Sequence, residues 1–243
     1  MQRFTLYGSP HSLPTYKVAL LLRMSEEPFA FRYVSFQKKM HQTPEFVALS
    51  RWGQVPVLVE GKRVQVQSAA IVEYLSDALD RFQGPDPIAR QAVREWLYWD
   101  VDALFPAIFG CYAAELDRKK LLPLNIDPAI AAFRHKGAET AILSLDGHLQ
   151  PGGFLCSVIP TLADIFCVGD VTFAEECGFD LGRWPNVAAW TARLQALPGF
   201  ARPFDLLPMH NGLLSSQTYA DKALQVWAEV QRIDARHKQT SHG

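Results

Sequence analysis

Gly53-Gln54-Val55-Pro56-Val57-Leu58-Val59-Glu60-Gly61-Lys62-Arg63-Val64-Gln65-Val66-Gln67-Ser68 is the stretch on which the fold turns. Two runs of β formers, 57–59 and 64–66, flank Gly61-Lys62, and that pattern reads as a β-hairpin. Pro56 stands just before the first run, and its bond to Val55 is open to two readings. A cis bond, essentially confined to proline, would leave the Val55 N–H and C=O facing outward. Those groups could then pair with a peptide-like ligand as an added strand. A trans bond would merely start an edge strand. After the hairpin, Ser68 is placed to cap a helix, and Ile71, Leu75 and Leu79 recur at i, i+4 and i+8.

Upstream, residues 4–7 are strong β formers that stop at Gly8-Ser9-Pro10. Val18, Leu21 and Leu22 then give a helical apolar face, with Pro14 in the first turn, where a missing N–H does no harm. Residues 31–34 form a second strand. A strand–helix–strand unit implies a parallel pair, and the hairpin adds antiparallel strands beside it. That mixed sheet is the thioredoxin-like architecture.

Downstream, Gln83-Gly84-Pro85-Asp86-Pro87 breaks the pattern, and no strand-like alternation follows. Residues 89–116 read as a long helical stretch bent at Pro106. Asp127-Pro128 reads as a cap and first helical residue of a helix to about 149, ended by Gln150-Pro151-Gly152-Gly153. Thr161-Leu162-Ala163-Asp164 starts another helix, and 187–197 is one more, closed by Pro198-Gly199. The expected fold class is an α/β thioredoxin-like N-terminal domain followed by an all-α domain. The expected boundaries are 1–82, a linker at 83–88, helices over 89–205, and an extension at 206–243 with an amphipathic helix near 219–233.

Composition bounds the function. Of 243 residues, 49% are apolar and 20% charged, an ordinary globular balance able to bury a core. The net charge of -1 argues against nucleic acid or an anionic membrane as partner. The cysteines, Cys111, Cys156, Cys167 and Cys177, form no C-x-x-C pair and read as reduced, mostly buried thiols. Seven scattered histidines lack ligand spacing, so no metal is expected. Met1-Gln2-Arg3 runs straight into a strand pattern, and no apolar run is long enough to span a bilayer. The expectation is a soluble, cytoplasmic protein.

Four segments carry polar groups suited to a ligand. The free N–H groups at the helix start near Ser68 attract a carboxylate, and the Gln67 carbonyl can accept from an ammonium. Taken alone, this is also an ordinary capped helix. His41 and Gln42, ahead of Pro44, could hold a second carboxylate or lie in a solvated loop. Ser12 lies between the first strand and first helix, where a cap and a chemical role are compatible. No base is arranged beside it in sequence, so a Ser-His-Asp hydrolase is not indicated.

In order and spacing together, these segments resemble the cytosolic glutathione transferases, with the phi class and related bacterial enzymes nearest. The resemblance rests on His41-x-x-Pro44-Glu45, Trp52-Gly53-Gln54-Val55-Pro56 and Gln67-Ser68-x-Ala70-Ile71. Thr161-Leu162-Ala163-Asp164 resembles the family's capping box on a buried helix, and Trp184-Pro185-Asn186-Val187-x-x-Trp190 its final core helix. The resemblance covers roughly residues 3–203. It implies that Ser12 hydrogen-bonds the glutathione sulfur and that Val55, beside a cis Pro56, pairs with the cysteinyl part. Gln67 and Ser68 would hold the γ-glutamyl end, His41 and Gln42 the glycyl carboxylate, and Gln54 joins this binding set.

The sequence departs from the pattern twice. Many relatives carry Glu at the position of Gln67 and Lys at that of Gln42, so two charges are lost. Tyr7 is the rival to Ser12, because other classes place a catalytic tyrosine at the end of the first strand. Ser9 is a weaker third choice. The absence of cysteine in this segment counts against the omega- and beta-like members. The resemblance implies a homodimer acting in detoxification, with a small hydrophobic electrophile between the domains. Trp99, Phe105, Ile108, Phe109 and Tyr112 are either walls of that space or core. The expected activity is conjugation of glutathione to the electrophile. The alternatives are a glutathione-dependent isomerase, peroxidase or dehalogenase, and a non-catalytic binding or stress protein of the same fold.

Overall fold

The computed structural model describes residues 2–207. The expected helix near 219–233 and the rest of the extension beyond residue 207 lie outside them. The hairpin is present as β3 (Val57–Glu60) and β4 (Arg63–Val66). β1 (Phe4–Gly8) runs parallel to β2 (Phe29–Tyr33) and antiparallel to β3, giving the order β2-β1-β3-β4. The second strand thus starts two residues earlier than its β formers suggest.

Strand alternation divides the sheet between two layers. Leu6 lies opposite Leu58, and both join the main core with α1 (Leu13–Met24) and α3 (Ser68–Leu79) through Val18, Leu21, Ile71 and Leu75. Tyr7 lies opposite Val57, and both face a smaller cluster built from Val34 and from Phe46 and Leu49 of α2 (Pro44–Leu49). Gly8 lets α1 approach β1: a Cβ there would stand 2.1 Å from the Thr15 Cγ2.

No strand occurs beyond β4 among the described residues. α4 (Pro87–Trp99) begins inside the segment read as a linker, capped by Asp86, whose carboxylate accepts from the Ala89 N–H at 2.8 Å. The break expected at Pro106 starts earlier. A π-helical turn, Asp100–Leu104, separates α4 from α5 (Phe105–Arg118), and Pro106 sits in the first turn of α5. The α4 ladder is therefore interrupted at the π turn, ahead of the proline. α6 (Pro128–His148) starts on the Asp127 cap as expected. α7 (Leu162–Ala174) is buried along its whole length, and α8 (Pro185–Gln195) and α9 (Pro203–Leu206) follow.

The Asp164 carboxylate accepts from the Thr161 N–H at 2.8 Å, from the Leu155 N–H at 2.8 Å and from the Trp190 indole at 2.9 Å. One buried carboxylate thus joins the start of α7 to the preceding loop and to α8. The four cysteines are free thiols, and that of Cys177 donates to the Phe173 carbonyl at 3.3 Å.

α1 is fastened to the helical part by a buried ionic cluster. The Lys17 ammonium pairs with Asp100 of the π turn and, at 2.9 Å, with Asp170 of α7. It also lies 3.9 Å from the centre of the Phe166 ring. Gly169 leaves room for it, since a Cβ there would stand 2.4 Å from the Lys17 Cγ. Burial opposes the lysine charge, but the two carboxylates outweigh it and raise its pKa. Burial raises both carboxylates, with Asp100 pushed furthest because Asp170 stands beside it. One oxygen on each, Asp100 Oδ2 and Asp170 Oδ1, has no hydrogen-bond partner in the described structure. Burial and the neighbouring carboxylate favour the protonated form of Asp100, which would leave the cluster neutral.

Candidate functional site

The sheet topology brings the four polar segments to one end. β1 ends there and leads to Ser12. β2 is parallel to β1, so its end, leading to His41, lies at the same place. β3 is antiparallel to β1, with Tyr7 opposite Val57, so Val55 and Pro56 enter there. β4 returns with Val66 opposite Val57 and delivers Gln67 and Ser68.

Ser9-Pro10-His11-Ser12 is a turn closed by the Ser12 N–H donating to the Ser9 carbonyl at 3.0 Å, with proline at its favoured second position. Ser12 is buried and caps α1, its Oγ accepting from the Thr15 N–H at 3.2 Å. That uses a lone pair and leaves the hydroxyl proton, which has no acceptor among the described residues. The Ser9 hydroxyl is buried and accepts from the His11 N–H at 3.3 Å. Tyr7 packs in the α2-side cluster, and burial raises its pKa against the weaker pull of Arg32.

The Val55–Pro56 bond is cis. Ser50 braces the segment, accepting from the Gln54 N–H at 3.1 Å and donating to the Gln54 carbonyl at 2.8 Å. The Val55 N–H and C=O have no partner among the described residues. Gln67 donates through its Nε2 to the Gln54 Oε1 at 3.3 Å, joining the two motifs directly. One expectation needs correction: the cap of α3 is Gln67, not Ser68. Gln67 has φ 71 and ψ 112, outside the helix, while its carbonyl accepts the first helical bond from Ile71 at 2.9 Å. Ser68 is therefore the first helical residue. A glutamine held at positive φ is a strained conformation of the kind that gathers at ligand clamps.

His41 and Gln42 lie on a single 3-10 turn, Met40–Gln42, ahead of α2, which is capped by the Thr43 hydroxyl. Gly53, at φ 61, packs under the His41 carbonyl, where a Cβ would come within 2.8 Å. The Gln42 amide contacts His41 Nε2 at 3.2 Å, and the His41 Nδ1 is buried without a partner in the described structure. Burial lowers the His41 pKa, which keeps the ring neutral.

Of the large apolar residues on α4 and α5, Ile108 and Tyr112 are core, Phe105 is half-buried and stacks on the exposed Phe109, and Trp99 packs edge-on against Trp96. A cavity of about 380 Å³ lies at the far end of α1, lined by Met24, Arg81, Phe82 and Leu197, away from every residue of the convergent end. Among the described residues no group of three or more His, Cys, Asp or Glu could hold a metal, and no helix is long and apolar enough to cross a membrane.

Sequence reasoning passed over two features. The first is Lys17 with Asp100 and Asp170. Its signal was available: Lys17 interrupts Val18-Ala19-Leu20-Leu21-Leu22 at its start, and Asp170 interrupts Ile165-Phe166-Cys167-Val168. The second is a hydrogen bond between His11 Nδ1 and the Tyr112 hydroxyl at 2.8 Å, which joins the Ser12 turn to α5. No local pattern announces a contact spanning 101 positions.

A small mixed sheet with a cis proline before its antiparallel hairpin, followed by a wholly helical part, defines a thioredoxin-like domain joined to a helical domain. Residues 2–77 match the family described as "Glutathione S-transferase, N-terminal domain". The chain is 30% identical over 209 residues to the maleylacetoacetate isomerase of Rhizobium meliloti (strain 1021), covering 81% of this chain and 93% of that protein. It is 30% identical over 203 residues to glutathione S-transferase theta-2 of Mus musculus, covering 80% and 81%. Its structure is similar to that of glutathione S-transferase from Pseudomonas fluorescens [Pf-5], with a TM-score of 0.75, 26% identity, and coverage of 84% and 100%. The chain belongs to the glutathione transferase family.

Proposed function

We propose that this chain is a glutathione transferase that stabilises the thiolate of bound glutathione through the Ser12 hydroxyl, for attack on a hydrophobic electrophile. The carrying observation is the state of Ser12. Its oxygen is fixed by the Thr15 N–H, and its proton is unused at the start of α1, where the sheet end converges. The Val55 N–H and C=O, without a partner among the described residues, suit the cysteinyl part of the tripeptide. Gln54, Gln67 and Ser68 suit the γ-glutamyl end, where the first N–H groups of α3 favour a carboxylate. His41 and Gln42 suit the glycyl carboxylate. In this reading residues 1–82 form the glutathione-binding domain, and the electrophile lies between it and the helices of 89–205. The family relationship supports a cytoplasmic homodimer with a detoxifying role.

The magnitudes suffice. Lowering a thiol by about two units from its usual value near 8.5 needs roughly 2.7 kcal/mol of preference for the anion. A hydrogen bond to a charged acceptor contributes about 1.5–3 kcal/mol, and a helix N-terminus about 0.3–1 kcal/mol. One hydroxyl at a helix start therefore covers the requirement without a base. Tyr7 is the weaker candidate because its ring packs on the sheet face opposite α1.

A second reading, a glutathione-dependent isomerase, starts from the same thiolate and is favoured by the relative named maleylacetoacetate isomerase, 93% of whose length is covered. The uncharged Gln67 and Gln42 favour a third, a binding protein without turnover. The test is ultraviolet titration of the bound thiol. Ser12→Ala is expected to return its pKa about two units toward that of the free thiol, with glutathione affinity retained. Tyr7→Phe is expected to leave it in place. An unchanged thiol in Ser12→Ala refutes the assignment, and no glutathione binding at millimolar concentration favours the binding-protein reading.

A further inference from the structure

His11 immediately precedes Ser12 and is held from three sides. Its backbone N–H donates to the Ser9 hydroxyl. Its ring meets Phe204 edge-on at 5.2 Å. Its Nδ1 lies 2.8 Å from the hydroxyl of Tyr112, on α5, a residue 3% exposed that packs edge-on against Phe173 of α7. The other charged group acting on both rings is Glu176, on the turn after α7.

We infer that His11, anchored by Tyr112, is a positioning residue that fixes the Ser12 hydroxyl for the sulfur of glutathione. The inference rests on the reading of Ser12 as the thiol activator. Ser12 is constrained downstream by its own cap, the Thr15 N–H. Upstream, a single peptide unit separates it from His11, so rotation of His11 carries Ser12 with it. The Tyr112 bond stops that rotation by tying the turn to the helical part.

The direction of the bond follows from the groups present. Burial raises the Tyr112 pKa, so the phenol keeps its proton. Burial lowers that of His11, and Glu176 opposes this only in part, so the ring is neutral. Tyr112 has no other acceptor among the described residues, so its O–H donates to the Nδ1 lone pair and the ring proton sits on Nε2. Replacing His11 by Asn keeps an acceptor, the Asn Oδ1, near the position of Nδ1. Replacing it by Ala removes the acceptor and leaves a buried phenol proton unpaired.

The experiment compares His11→Ala, His11→Asn, Tyr112→Phe and Ser12→Ala as full-length proteins. The readouts are glutathione affinity, melting temperature, ultraviolet titration of the bound thiol, and its alkylation rate by iodoacetamide at pH 7. His11→Ala and Tyr112→Phe are expected to raise the thiol pKa by about one unit and so to slow alkylation at pH 7 about threefold, with affinity within about twofold. The double variant carrying both His11→Ala and Tyr112→Phe is expected to match either single one. His11→Asn is expected to recover most of the loss. A thiol that moves in Ser12→Ala but not in His11→Ala overturns the positioning role and leaves the activator reading standing. A thiol unmoved by Ser12→Ala overturns the activator reading and this inference with it. Losses in melting temperature and affinity without a change in thiol pKa show a structural contact only and overturn the inference. So does His11→Asn behaving like His11→Ala.

Discussion

Replacing Lys17 by Met removes the cation that, among the described residues, balances two buried carboxylates, Asp100 and Asp170, with little change in side-chain volume. In the intact cluster the ammonium faces both carboxylates, and protonation of Asp100 leaves the cluster neutral. Without Lys17, the ionised partner must either stay charged in an apolar interior or take up a second proton. Breaking a buried pair on one side costs about 3–5 kcal/mol. The proton route sets a ceiling at pH 7. An aspartate titrates near 4 in the unfolded chain, so neutralising it costs about 1.36 kcal/mol for each of roughly three units, or about 4 kcal/mol. The two figures agree. For a protein of this size about 4 kcal/mol lowers the melting temperature by roughly 8–16 °C.

The sign with pH follows from the same cluster. A carboxylate whose folded pKa is raised favours folding only while protonated, so its contribution is complete below pH about 4 and is lost as pH rises. The deficit of Lys17→Met is therefore expected to shrink from pH 7 to pH 5 by about 2.7 kcal/mol, two units at 1.36. Denaturant unfolding at both pH values, with the m-value checked for constancy, measures it. A loss under about 1 kcal/mol at pH 7 would refute the role of Lys17 in balancing the carboxylates, and a deficit equal at both pH values would refute uptake of a second proton. Asp100→Asn supplies the complement. Its amide oxygen can accept from Lys17 and its amide protons can donate to Asp170, so the cluster stays neutral and the loss is expected to stay within about 1 kcal/mol.

Two further outcomes follow from the site. Gly8→Ala places a methyl 2.1 Å from the Thr15 side chain, so α1 must shift; a loss of about 1–3 kcal/mol with a raised thiol pKa is expected, and a stability within about 0.5 kcal/mol of the parent would show that α1 tolerates the shift. Gln67→Glu restores a charge facing the ligand ammonium. Its expected gain is about 1 kcal/mol, or roughly fivefold in glutathione affinity by calorimetry, and unchanged affinity would mean that Gln67 does not meet the ammonium.

Much of this was legible in the residues. The runs of β formers at 57–59 and 64–66 around Gly61-Lys62 predict the hairpin, because strand propensity and turn chemistry are local. The Asp127-Pro128 and Thr161–164 starts were legible for the same reason, since a cap and its N–H partner lie within three residues. The cap of α3 was misjudged between neighbours because Gln67 adopts a positive φ that its residue type does not favour. For the break after α4 the residues point to Pro106, the visible breaker, whereas the π turn begins six residues earlier.

The sequence by itself determined the order of elements, the helix starts, the hairpin and the identity of the polar segments, because each depends on residues a few positions apart. Only the tertiary structure decided which segments meet. It put Ser12, Val55, His41 and Gln67 at one end of the sheet through the pairing of β1 with β2 and β3, and it settled the isomer at Val55–Pro56. It also set Lys17 between Asp100 and Asp170, and His11 against Tyr112, across 83, 153 and 101 positions. Such contacts form because the chain closes on one core and buried polar groups must find partners there. That requirement is imposed by the whole fold, and no short window of residues carries it.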